Sequence, residues 1–121
     1  MVVATTGEAE GEQHDRAALG LPADQLALLQ AVHSALPGVK KALVVVSGGA
    51  VSTEQADGMV DATIWAGKGG MQAGAGLAAL LYGDAEFCGR VAATVYKEAW
   101  ADASDFTDSA ISGGPHPRGY R

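Results

Sequence analysis

Lys40-Lys41-Ala42-Leu43-Val44-Val45-Val46-Ser47-Gly48-Gly49 is the stretch that decides the fold. Its apolar run, ending in three β-branched valines, shows no polar alternation. A strand of that kind is buried on both faces, which is the habit of parallel sheets whose crossover helices cover them. The lysines and the Ser-Gly-Gly turn mark its ends. Working back toward the N-terminus, Pro37-Gly38 stops a helix that starts at Pro22, a residue tolerated in a first turn because its φ is preset. Asp24 places a negative charge near the positive end of that helix. Leu26, Leu29, Val32 and His33 fall on one helical face, with Leu28 and Leu36 beside it. Further back, Val2-Val3-Ala4 reads as the end of a strand, and residues 5–20 as a polar loop.

Working forward, residues 52–57 suggest a short helical piece with Ser52 as its cap. Residues 62–66 read as another buried strand, with Trp65 more suited to the core than to a surface. Gly67-Lys68-Gly69-Gly70 is a turn. Residues 71–82 form a helix of small residues ending at Gly83, and residues 91–96 are a further strand. From residue 99 onward the chain is polar and irregular. The order strand, helix, strand, short helix, strand, helix, strand implies βαβ units and an α/β fold built on a mostly parallel sheet.

Composition narrows the function. The 121 residues suffice for one small domain. A formal net charge of −6 argues against nucleic acid and against anionic membrane surfaces, both of which call for basic patches. No apolar run is long enough to span a bilayer. The single cysteine, Cys88, excludes an internal disulfide and a cysteine-rich zinc site. His14, His33 and His116 lack metal-ligand spacing, so no metal and no cofactor is implied. His33 reads as a packing residue.

The chemistry-bearing stretch is the first loop, because open α/β sheets place their sites at the carboxyl ends of strands. Glu8, Glu10 and Glu12 alternate along it, so an extended backbone would point them one way. Glycoside hydrolysis needs one protonated carboxylic acid and a second carboxylate, about 5–5.5 Å away in retaining enzymes. The loop can supply one of the two. The same spacing suits a solvated acidic loop. Asp15-Arg16 can hydrogen-bond sugar hydroxyls or fix the loop by charge-assisted bonds. His14 shapes the same loop. The glycine turn at 67–74 follows a strand and opens a helix, the geometry that cradles phosphate, yet it matches neither named phosphate-binding spacing. Close strand–helix packing explains it as well.

Four blocks together resemble a known family: Glu10 to Arg16 with Leu21-Pro22 and Gln25; Val44-Val45-Val46-Ser47-Gly48-Gly49; Trp65-Ala66-Gly67 with Gly70 and Gly74; and Tyr82-Gly83-Asp84 with Gly89-Arg90 and Thr94. Their order and spacing are similar to those of the C-terminal α/β sandwich domain of glycoside hydrolase family 3, in its β-xylosidase, α-L-arabinofuranosidase and β-glucosidase branches. The resemblance implies a flavodoxin-like α/β/α sandwich with helices on both faces and its N-terminal strands missing. It spans residues 1–98 as a partial sandwich domain and 99–121 as an irregular C-terminal segment of the same domain.

It also implies a retaining exo-acting β-glycosidase for xylo- or gluco-oligosaccharides. A (β/α)₈ barrel, absent from this chain, would carry an aspartate nucleophile, and this chain would be a fragment that lends the acid/base glutamate. Glu10 is the first candidate for that role and Glu12 the second. His14, Asp15 and Arg16 are the candidate substrate-binding residues. Without the barrel the chain alone is expected to be inactive. The alternative is a non-catalytic carbohydrate- or phosphate-binding module. The family's usual prolines are replaced at Ala50, within Lys68-Gly69-Gly70-Met71, and at the Phe87-Cys88 and Val91-Ala92 steps.

Overall fold

A computed structural model describes residues 2–4, 11–13, 16–105, 107–109 and 118. Strand β1 (Val2–Ala4), helix α1 (Ala23–Ala35), strand β2 (Ala42–Val46), a 3₁₀ turn (Glu54–Ala56), strand β3 (Ala62–Trp65), helix α2 (Ala73–Tyr82) and helix α3 (Glu98–Ala103) follow in order. The sheet is parallel with β2 between β1 and β3. The α/β reading holds, and the run that decided it is the central strand. Leu43, Val44 and Val45 are all buried, Leu43 completely, so both faces of β2 are covered.

The core lies on one side of that strand. Leu43 and Val45 point to it, and Leu29 of α1, Leu21, Val51 and Ala56 fill it, with Leu26, Met59 and Val60 packed at its edge. The α1 face expected from the sequence is the one used: Leu29 is buried and Leu26 half-buried, while Leu28 and Leu36 stay exposed. Burying a leucine fully is worth roughly 1.5–3 kcal/mol. Val32 and His33 are half-buried, and His33 Nδ1 lies 3.1 Å from the Met59 carbonyl. A carbonyl only accepts, so Nδ1 carries the proton and His33 ties α1 to the turn after the 3₁₀ segment.

Several local expectations are corrected. Residues 91–96 form no strand. A strand needs a hydrogen-bonded neighbour, and this segment stands off from β3 across a cavity, with Val91 and Val95 exposed. Ser52 does not cap the 3₁₀ turn, whose flanking residue Thr53 makes no side-chain cap bond. Ser52 is instead buried, its N–H donated to the Leu19 carbonyl at 2.8 Å. Trp65 is 39% exposed rather than core, and β3 is not the buried strand expected, since only Ile64 of its four residues is half-buried. Finally, the region from residue 99 onward is not wholly irregular, since α3 runs from Glu98 to Ala103.

Candidate active-site edge

The three strands are parallel and in register, Ala4 with Val46 and Val45 with Trp65, so the chain leaves all of them at one edge of the sheet. The first loop follows β1, the Ser-Gly-Gly turn follows β2, and the glycine turn follows β3. This carboxyl-end edge is where open α/β sheets gather their chemistry.

Polar bonds stitch the loops together there. Ser47 is fully buried; its hydroxyl accepts the Trp65 indole N–H at 2.9 Å and donates to the Gly49 carbonyl at 2.7 Å. That chain of bonds fixes the turn after β2 against the end of β3. Arg16 Nη2 donates to the Ala50 carbonyl at 2.7 Å, joining the first loop to the same turn. Arg16 Nη1 is buried and has no hydrogen-bond partner among the described residues. Gly48, Gly49 and Ala50 face Trp65, Val91 and Val95 across a cavity of about 360 Å³ whose walls are mostly apolar.

Of the sequence-derived site residues, Arg16 is half-buried at this edge and Glu12 is exposed on the first loop. Glu10, His14 and Asp15 lie outside the described residues, as does Glu8. The glycine turn serves packing at the start of α2: a Cβ at Gly69 would collide with that of Ala73. Beside it, a groove of about 620 Å³ runs between β3, α2 and residues 86–91. No group of His, Cys, Asp or Glu among the described residues has the arrangement of a metal site. No helix among them is long and apolar enough to cross a membrane.

Sequence reasoning missed Glu98, Gln55 and the Ala50 carbonyl. Glu98 receives backbone N–H groups of Leu19 and Gly20, and Gln55 receives that of Leu21. No local pattern marks them, because their partners are 34 to 79 residues away in sequence.

Residues 1–120 match the family described as the glycosyl hydrolase family 3 C-terminal domain. The chain belongs to that family. Over 112 residues it is 35% identical to "Probable exo-1,4-beta-xylosidase bxlB" of Aspergillus terreus, covering 89% of this chain and 14% of that protein. Over 118 residues it is 34% identical to "Probable beta-D-xylosidase 6" of Arabidopsis thaliana, covering 93% of this chain and 15% of that protein. The chain thus spans about one seventh of the length of these relatives. No solved structure matches it. Family 3 membership places the edge built by Arg16, Ser47 and Trp65 in a glycoside hydrolase domain.

Proposed function

We propose that this domain supplies the general acid/base of a retaining β-glycosidase acting on xylo-oligosaccharides, from the loop between β1 and α1. Glu10 is the proton donor, with Glu12 the second candidate. His14, Asp15 and Arg16 hold sugar hydroxyls or the loop itself. The nucleophilic carboxylate comes from a (β/α)₈ barrel outside these 121 residues. The observation that carries the reading is where β1 ends and where Arg16 is anchored. What supports it is that β1 ends at Ala4 level with Val46, and that Arg16 is held on the turn after β2, in a chain whose family relatives are named as xylosidases. A glutamate there protonates the departing glycosidic oxygen and, after its proton is gone, takes one from the water that releases the sugar.

Activity of the purified chain on aryl β-xyloside and aryl β-glucoside, with folding followed by circular dichroism, tests the division of labour. A folded chain without turnover is expected, since half of the carboxylate pair lies elsewhere. Reproducible turnover that vanishes in Glu10→Gln would place a second catalytic carboxylate within these residues and overturn the reading.

A further inference from the structure

The segment Leu19-Gly20-Leu21 joins the acidic loop to α1, and side chains from far along the chain hold its backbone. Glu98 Oε1 accepts the Leu19 N–H at 3.1 Å and Oε2 accepts the Gly20 N–H at 2.6 Å. Gln55 Oε1 accepts the next N–H, that of Leu21, at 3.2 Å. The Leu19 carbonyl receives the Ser52 N–H at 2.8 Å. The Glu98 N–H in turn donates to Glu54 Oε1 at 3.0 Å, so the 3₁₀ turn and the start of α3 grip the segment as one clamp. Tyr96 and Trp100, with ring centroids 3.7 Å apart, stack across the start of α3 and brace it. A Cβ at Gly20 would sit 2.9 Å from Gln55 Oε1, so a larger residue there would displace the end of that side chain.

The chemistry of Glu98 suits the place. α1 has no side-chain cap, and an anion near a helix N-terminus is favoured by the helix dipole. Two backbone N–H groups on the two oxygens of one ionised carboxylate are charge-assisted bonds, the stronger kind. A neutral or shorter side chain would leave at least one of these half-buried N–H groups unmet.

We infer that Glu98 is a positioning residue for the acidic loop. The Glu98 clamp holds Leu19 and Gly20, where the chain passes from the loop to α1. Arg16 stays on the Ala50 carbonyl only while the clamp holds the chain behind it. A proton donor misplaced by about 1 Å can lose on the order of 10²-fold in rate, so an anchor of this kind bears directly on catalysis. The inference rests on the proposed role of that loop, but its test does not depend on activity.

The test is amide hydrogen exchange of the whole chain, comparing the parent with Glu98→Ala and Glu98→Gln. In Glu98→Ala, exchange should rise about tenfold or more at residues 11–13 and 16–21 while the β2 amides keep the parent's rates. Glu98→Gln, which keeps one carbonyl acceptor, should fall between the two and serves in its own right if the alanine variant does not fold. A rise confined to residues 19–21 would mean a purely local bond and overturn the inference, as would a uniform rise that includes β2. Loss of the proposed glycosidase role would show instead in the Glu10→Gln kinetics and leave this exchange pattern untouched.

Discussion

The two sides of β2 use apolar residues to opposite effect. Toward α1, Leu21, Leu29, Leu43, Val45, Val51 and Ala56 form a continuous buried core. Toward the C-terminal half, α2 carries the more apolar sequence, Ala-Gly-Ala-Gly-Leu-Ala-Ala-Leu-Leu-Tyr, and buries no residue. Met71 is 97% exposed and Tyr82 86%. The difference lies in part in α2's small residues and mainly in polar ties. Alanine and glycine offer little area to remove from water, so a helix built from them gains little by docking. The first side is also tied by His33 to Met59, by Ser52 to Leu19 and by Gln55 to Leu21, which hold its elements in place while the leucines pack. Apolar composition therefore marks potential burial, and partners held in place by polar ties realise it.

The same substitution made on both sides gives the largest contrast. Leu43→Ala should cost about 2–5 kcal/mol in urea unfolding, the range for a leucine lost from a closed core. Leu81→Ala, at a residue 45% exposed on α2, should change stability by less than about 0.5 kcal/mol. Equal costs would break the comparison. Next, Arg16→Ala should cost about 1–2 kcal/mol, somewhat less than a fully buried charged hydrogen bond because the side chain is only half-buried. Arg16→Lys should recover part of the loss, since an ammonium can still donate to the Ala50 carbonyl that Arg16 uses. Ser47→Ala should cost about 1 kcal/mol: it removes the acceptor of the Trp65 N–H, which can turn to water at its exposed position.

The smallest effect is electrostatic and lies at the open end of β3. The Lys40 ammonium, 2.6 Å from Asp61, and then the Lys41 N–H hold the Asp61 carboxyl below its ordinary value of 3.8. A carboxyl lowered by folding stabilises the fold above its unfolded pKa and loses that contribution as pH falls through the folded value. Both groups are solvent-exposed, so Asp61→Asn should leave neutral stability nearly unchanged and only flatten the acid limb below about pH 3.8. Titrating stability from pH 6 to pH 2 at low and high salt checks it, with the difference shrinking as salt rises.

What was legible in the sequence was local. The valine run of β2, the Pro22 start and leucine face of α1, and the Ser-Gly-Gly turn each carry their own signal within a few residues, and each formed where expected. The family was legible too, because its motifs are short blocks in a fixed order. What escaped was set by partners distant in the chain. Glu98 sits in a stretch read as lying beyond the last element, and its role depends on Leu19 and Gly20, 79 and 78 residues earlier. Residues 91–96 have β-branched character but pair with no strand among the described residues, and Trp65 has the size of a core residue but stands 39% exposed at the end of β3. Local propensity cannot report either condition.

The central claim is that the loop after β1 delivers the proton. The most direct test is a leaving-group comparison in a longer form of the protein that joins this domain to a barrel, using one aryl β-xyloside with a poor leaving group and one with an activated leaving group. Glu10→Gln should lower kcat/KM on the poor substrate by about 10²-fold or more and spare the activated one, whose departure needs little protonation. Equal losses on both substrates, or no loss on either, would contradict Glu10 as the acid.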